Sequence, residues 1–272
     1  MFKQSAISRS TKNTVRAIAG AVALFGALEF AQATPVVDPT QTVAGITQLE
    51  LSQQWWQWVV SIPASSNPQF DTDGSLAQTN NNGPVFFVAG NFGGTSERTF
   101  TVPAGKPLFF PVLNNADFEF RDARPNCIDD PTYLDPNHTS LECALSFISP
   151  ALEPDEVTIH ATLDGQDLLT FFPSHRQTST SFFDIDLPIG NVFGKDAGNY
   201  PGIVVSDGYW IALDGLSPGQ HTLIFGGTNG DGFTLKVTDT LNVPEPGTLG
   251  LLFLGSLAAL GCRRFGIGPT RI

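Results

Sequence analysis

The chain has 272 residues and a formal net charge of −12, from 14 lysines and arginines against 26 aspartates and glutamates. This acidity argues against nucleic acid or an anionic membrane surface as a partner, since both need a basic protein face. Its simplest consequence is solubility. The alternative is binding of Ca²⁺ through carboxylates, and we expect no other cofactor.

The N-terminus has the pattern of a secretory signal peptide. Four basic residues within the first 16 positions precede an apolar stretch over residues 17–30. Ala31 and Ala33 then have the small-x-small spacing that signal peptidase recognises. We predict cleavage after Ala33, with an uncleaved anchor as the alternative, so that residues 1–33 are a targeting segment.

A helix is predicted to begin at Thr47, which forms a capping box with Glu50. Apolar residues then recur at helical spacing on one face, which indicates packing on a sheet. These residues are Leu51, Trp55, Trp58, Val59 and Ile62. Trp56 lies off this face, so we expect it to be the most exposed tryptophan and a candidate platform for a sugar ring. Tryptophans at helical spacing are more often part of the core, which is the interpretation we favour even for Trp56.

The polar residues 65–83 are predicted to form a loop. They include the run Asp71-Thr72-Asp73-Gly74, which is similar to the start of a calcium loop. The complete pattern needs further acidic ligands that are missing here. We therefore favour an ordinary Asx turn.

Runs rich in Val, Phe and Thr predict β-strands from residue 84 onward. The first three cover residues 84–89, 97–102 and 106–113, and others follow at 156–163, 168–172 and 181–187. Asp164-Gly165 indicates a hairpin turn. Asp184 and Asp186 alternate with apolar neighbours and are expected to face solvent. The last runs, at 208–213, 220–225 and 233–241, predict a β-meander.

Residues 114–154 are predicted to interrupt the strands as an insertion with a helix over 139–149. Arg121 and Arg124 lie in it among eight acidic residues and are candidate ligand-binding residues. Its cysteines, Cys127 and Cys143, are the only two in the exported part, where the redox environment permits a disulfide. Such a bond would contribute about 3 kcal/mol. A metal site or a catalytic thiol is the alternative.

This pattern predicts a mainly β fold of two packed antiparallel sheets, a β-sandwich of jelly-roll or immunoglobulin-like type. We expect the β-sandwich to be accompanied by an N-terminal helix and by the helical insertion that the disulfide cross-links. The series Trp55 to Pro63, Gly83 to Phe87, Arg98 with 102–106 and Asp207 to Trp210 resembles a family of exported bacterial proteins. That resemblance implies a shared domain over most of residues 50–241 and no activity.

The C-terminal region has the sequence pattern of a membrane anchor. Pro246 to Cys262 is a stretch of 17 residues without a charge, and Arg263 and Arg264 follow it. A helix of this length spans about 25 Å, close to the 30 Å core of a bilayer. The arginines place residues 266–272 in the cytoplasm and the preceding chain outside. We therefore predict a transmembrane helix.

Pro244, Glu245 and Pro246, the apolar stretch and the two arginines together resemble the PEP-CTERM sorting signal of Gram-negative bacteria, over residues 243–265. The resemblance implies that exosortase reads the motif and removes the tail. An unprocessed anchor is the alternative. Signal peptidase and exosortase are then the partners during export, the inner membrane holds the precursor, and the mature protein lies at the cell surface or outside the cell.

The exported part is residues 34–242. Without the two end segments it loses seven of the 14 basic residues and two of the 26 acidic ones, which leaves a net charge of −17. It contains no G-x-S-x-G or P-loop motif and no helical metal-binding histidine pair. We expect a non-catalytic surface or matrix protein that binds exopolysaccharide. The alternative is a secreted polysaccharide hydrolase that uses two carboxylates.

Overall fold

The computed structural model describes residues 36–120 and 141–245. In these residues the chain forms two α-helices, α1 (Gln48–Val60) and α2 (Leu141–Ile148), and ten strands. The strands in chain order are β1 (Phe86–Phe87), β2 (Gly94–Thr101), β3 (Leu108–Phe118), β4 (Thr158–Leu163), β5 (Gln166–Asp167), β6 (Arg176–Thr178), β7 (Phe183–Leu187), β8 (Gly198–Leu213), β9 (Gly219–Thr228) and β10 (Thr234–Val243).

The strands form two mixed sheets that pack against each other. The central sheet has the order β1-β3-β8-β6, with β7 also paired to β8, and the outer sheet has the order β2-β10-β9-β4-β5. The prediction of purely antiparallel sheets is wrong, because β1 pairs parallel with β3 and β2 pairs parallel with β10. The chain leaves the central sheet to form β2 and then returns, so β1 and β3 run in the same direction.

The predicted meander over the last three strands is also wrong. β8 belongs to the central sheet, whereas β9 and β10 form an antiparallel hairpin in the outer sheet. The segment 214–218 therefore connects the two sheets. Leu216 in this segment is buried in the apolar core between them, and this burial favours the crossing over a turn within one sheet.

Both faces of the central sheet are covered, because the adjacent Phe109 and Phe110 belong to different core clusters. Phe109 stacks on Trp210, with ring centroids 5.3 Å apart, on the face that α1 covers. Phe110 contacts Phe225 of the outer sheet at 5.0 Å on the other face. The apolar face of α1 is buried as predicted, and Trp55 packs edge-on against Trp210 at 5.5 Å.

Other local predictions are confirmed. Thr47 caps α1 by accepting a hydrogen bond from Glu50 N, and α2 lies within the predicted helix. Asp164 and Gly165 have φ values of +51° and +79° in the turn that joins β4 to β5. Asp71 accepts hydrogen bonds from the backbone N–H groups of Asp73 and Gly74, which is the expected Asx turn.

Several predictions fall on residues outside those that the structure describes. They are the signal peptide with Ala31 and Ala33, the insertion residues Arg121, Arg124 and Cys127, and the segment from Pro246 onward with Arg263 and Arg264. Cys143 is buried in α2. Residues 114–118 continue strand β3 and pair with β8 instead of opening the insertion. Among the described helices, none combines the length and apolar character needed to cross a membrane.

Candidate functional site

An open groove lies beside the exposed side of α1, with a cavity volume of about 560 Å³. We call it the α1–β7 groove. Its lining comes from α1, the turn before β1, β1 itself, β7 and the start of β8. The lining residues are Gln54, Gln57, Trp58, Ser61, Asn80, Asn81, Gly83, Phe87, Asp184, Asp186 and Asn199. Eight of them have polar or charged side chains, and two are aromatic.

The helix presents polar side chains to the groove because its apolar face is turned to the central sheet. Gln54, Gln57 and Ser61 follow one another at helical spacing on the side away from the buried face. Gln57 Nε2 donates to the backbone oxygen of Asp184 at 2.9 Å, which ties α1 to β7. Trp58 Nε1 donates to Thr79 O at 2.9 Å, and this bond connects α1 to the turn before β1.

Strand β7 supplies the two carboxylates. Phe183, Ile185 and Leu187 are buried, and this leaves Asp184 and Asp186 exposed on the opposite face, as the alternation predicts. Asp184 Oδ1 accepts a hydrogen bond from Gly202 N at 2.7 Å, and Asp186 Oδ1 accepts one from Asn199 Nδ2 at 2.9 Å. Each carboxylate therefore has a fixed position and a second oxygen, Oδ2, that can accept from a ligand.

The remaining wall of the groove is held by Asn81. Its side-chain oxygen accepts from Phe87 N at 3.0 Å, and its amide nitrogen donates to Phe87 O at 2.8 Å. This pair of bonds imitates strand pairing and fixes the Phe87 ring beside Trp58, with centroids 5.6 Å apart. Lys106, which does not line the groove, donates from Nζ to Asn81 O at 3.0 Å. Burial lowers the pKa of Lys106.

Trp56, the tryptophan proposed for sugar stacking, is half-buried and is the most exposed of the four tryptophans. Its ring packs edge-on against Phe118 at 5.7 Å, and it does not line the α1–β7 groove. The groove residues were missed by sequence reasoning because they come from distant segments. The only local signals were the alternation at Asp184 and Asp186 and the polar side of α1.

A pair of exposed aromatic rings lies at one end of the outer sheet. Phe70 and Phe92 are 52% and 56% exposed, and their centroids are 4.8 Å apart. Hydrogen bonds hold the segments that carry them: buried Arg98 donates to the carbonyls of Pro68 and Ala89, and half-buried Asn91 accepts from Gly93 N. We call Phe70 and Phe92 the rim pair.

One constellation has the residue types of a catalytic triad. His221 Nδ1 lies 2.7 Å from Asp164 Oδ2, and its Nε2 lies 3.4 Å from Ser217 Oγ. However, Nε2 is closer to the backbone oxygen of Ser217, at 2.9 Å, than to its hydroxyl. These contacts join the segment between the two sheets to the turn between β4 and β5.

Among the described residues, no group of three or more His, Cys, Asp or Glu side chains has the spacing of a metal site. Asp71, the first residue of the calcium-like run, directs both carboxylate oxygens to backbone N–H groups, including that of Leu76 at 2.9 Å. These bonds use the oxygens that a cation would need.

The C-terminal region of the chain matches a known protein family model. Residues 242–264 match the PEP-CTERM protein-sorting motif, which includes Pro244, Glu245, Pro246, Arg263 and Arg264. Neither a curated protein nor a solved structure matches the chain. The motif marks the chain as an exported protein that exosortase sorts, and its first two residues, Asn242 and Val243, are the last residues of β10.

Proposed function

We propose that this exported protein is a non-catalytic component of the cell surface or extracellular matrix that binds exopolysaccharide in the α1–β7 groove. The observation that carries the proposal is the lining of the groove, in which amide and carboxylate side chains surround two aromatic residues. This combination suits a ligand that has many hydroxyl groups and apolar C–H faces.

The hydrogen-bonding groups of the lining match those of a sugar. A sugar hydroxyl both donates and accepts, and the side-chain amides of Gln54, Gln57, Asn80 and Asn199 offer both functions. The Oδ2 atoms of the two carboxylates accept only. Trp58 and Phe87 provide apolar surface between these polar groups.

The groove is largely preorganised, which supports binding at low entropic cost. Bonds from Gln57 to Asp184 O and from Trp58 to Thr79 O join its walls, and Asn81 fixes the strand with Phe87. The rim pair adds two exposed aromatic rings in contact with each other, which offer a second apolar surface for the C–H face of a sugar.

Asp184 and Asp186 are the observation that favours the alternative, a polysaccharide hydrolase. A glycosidase places its two carboxyl groups on opposite sides of the scissile bond. These two residues are second neighbours on one strand and lie on the same face of it, so both reach a ligand from the same side. This geometry favours binding over hydrolysis.

The experiment measures binding of the full-length chain, solubilised in detergent, to immobilised hexasaccharides of glucose, galactose and mannose. We expect specific binding without release of shorter products. The double variant Gln54→Ala with Asn199→Ala should bind at least about tenfold more weakly, because it removes two hydrogen-bonding side chains. Gln53→Ala is the matched control, since Gln53 is on the same helix and does not line the groove.

Binding that is unaffected by the double variant would place the glycan site elsewhere. Absence of binding to every hexasaccharide would overturn the proposed function. Release of shorter sugars that stops in Asp184→Asn or Asp186→Asn would establish the hydrolase instead.

The proposal for the exported form includes a Cys127–Cys143 disulfide and a precursor anchored transiently in the inner membrane. Export to an oxidising compartment supports the disulfide. Mass spectrometry of the alkylated protein, with and without prior reduction, tests it: two alkyl groups should be added only after reduction. Alkylation of the unreduced protein at both cysteines would contradict it.

A further inference from the structure

We propose that the α1–β7 groove selects uncharged glycans and rejects polysaccharides that carry uronic acids, and that Asp184 and Asp186 impose this selection. The inference rests on the proposed function and specifies the ligand class for the same groove. It adds charge discrimination to a site that was assigned above only from its hydrogen-bonding groups.

The first step is the charge of the lining. Asp184 and Asp186 are its two ionisable side chains, and no lysine or arginine belongs to the lining residues, which all fall in the described part of the chain. Lys106 contacts a lining residue, since its ammonium donates to the backbone oxygen of Asn81. The ammonium also lies 5.8 Å from the ring centroid of Phe86, a residue of the inter-sheet core.

The second step is that both carboxylates are held at the groove. Each has one oxygen in a hydrogen bond, Asp184 with Gly202 N and Asp186 with Asn199 Nδ2, and both residues lie on the exposed face of β7 that lines the groove. Neutral hydroxyls can donate to these oxygens. A uronate carboxylate has no proton to donate and meets like charge, which disfavours its binding.

The structure also provides a substitution that removes the charge and can keep the anchoring bonds, while each Oδ2 acceptor becomes an amide donor. In Asp184→Asn and Asp186→Asn the side-chain oxygen can still accept from Gly202 N and from Asn199 Nδ2, so both anchoring bonds can remain. The double variant therefore removes two negative charges from the groove and retains its shape. Asp196→Asn with Asp231→Asn is the matched control, since both residues are exposed and neither lines the groove.

The test compares two panels of hexasaccharides on the full-length chain in detergent: hexamers of glucose, galactose and mannose, and the corresponding hexamers of glucuronate, galacturonate and mannuronate. At low salt the natural chain should bind a neutral hexamer about tenfold or more tightly than its uronate counterpart, as expected for two close like charges. The difference should shrink in 0.5 M NaCl, where these exposed charges are screened.

In Asp184→Asn with Asp186→Asn, the preference for the neutral hexamer should fall to about twofold or less, because binding of the uronate hexamer improves. The control variant should keep the full preference. Equal binding of neutral and uronate hexamers to the natural chain, or an unchanged preference in the groove variant, would overturn this inference and leave the proposed function intact. If no hexamer of either panel binds, the proposed function fails and the inference fails with it.

Discussion

A buried ion pair between Arg98 and Asp239 lies inside the sandwich, with their side chains 2% and 0% exposed. Arg98 reaches Asp239 through Nε and Nη2, each at 2.8 Å, and Nη2 also donates to Ala89 O at 2.7 Å. Burial raises the pKa of Asp239, and the guanidinium charge opposes that shift. The pair therefore depends on both partners being present.

Replacing Arg98 with Met leaves a buried carboxylate and the Ala89 carbonyl without their partner. We expect the free energy of unfolding to fall by about 3–5 kcal/mol, measured by urea denaturation. Arg98→Lys keeps the charge but not the two hydrogen bonds from the guanidinium group to Asp239, so the free energy of unfolding should fall by less than in Arg98→Met. A loss below about 1 kcal/mol in Arg98→Met would contradict this account of the pair.

His175 makes stability depend on pH. It is fully buried, and its Nδ1 donates to Trp210 O at 3.0 Å. Burial lowers the pKa of His175, although the charges of Asp38 and Asp167 oppose the shift. An unfolded histidine titrates near 6.5, so below that pH the unfolded chain binds the proton more readily than the folded one.

The contribution of His175 is therefore complete above about pH 6.5 and is lost as the pH falls, by at most about 1.4 kcal/mol per unit. His175→Asn keeps a donor near the position of Nδ1 and should remove this slope from the curve of unfolding free energy against pH. The comparison uses the difference between the two curves from pH 8 to pH 5. Parallel curves would exclude His175 as the source.

At the scale of elements, β3 and β8 approach each other closely at Gly208. A Cβ atom there would lie 2.7 Å from Asn114 Cα and 2.8 Å from Leu113 O. Both are backbone atoms, so Gly208→Ala should force the strands apart and cost about 1–3 kcal/mol of unfolding free energy. In thermal unfolding, Gly90→Ala is the control, since nothing lies within 4 Å of its added Cβ. Equal melting temperatures for both variants would refute the close approach.

Most of the elements were predictable from local signals, although the strand predicted over 168–172 is not formed and β6 was not predicted. The helical repeat of Leu51 and Trp55, the alternation around Asp184 and the Asp164-Gly165 turn all depend on neighbouring residues. Strand partners depend on distant residues. Nothing near Arg98 in the sequence indicates that it lies opposite Asp239 in a parallel pair of strands. Likewise, nothing near Leu216 indicates that it is buried between the sheets in a segment that connects them.

The groove could not be predicted for the same reason. The bond that joins its walls connects Gln57 and Asp184, which are 127 positions apart. The polar side of α1 and the exposed face of β7 each look like ordinary solvated surface when considered alone. Only the packing of α1 on the central sheet places these two surfaces beside each other.

At the scale of the whole molecule, sorting should depend on the residues that follow β10. Replacing Pro244, Glu245 and Pro246 with alanine removes the residues by which exosortase is expected to recognise the chain. The variant should accumulate at full length in the inner membrane, as measured by membrane fractionation and the mass of the protein. Alanine substitutions at Thr238 and Thr240, upstream in β10, serve as a control that leaves the motif unchanged. Normal processing of the motif variant would end the sorting hypothesis.

No spacer separates the sorting motif from the outer sheet, because the motif begins in the last two residues of β10. Val243 is still paired with Gly219, and only Pro244 and Glu245 separate it from the predicted apolar span that begins at Pro246. Two residues reach at most about 7 Å, so a precursor held in the membrane would have a very short tether. We expect this tether to hold the end of the outer sheet with Gly219 close to the bilayer. The rim pair lies near the start of β10 and would then face outward about 30 Å farther from the membrane, an orientation that would be lost once cleavage releases the domain.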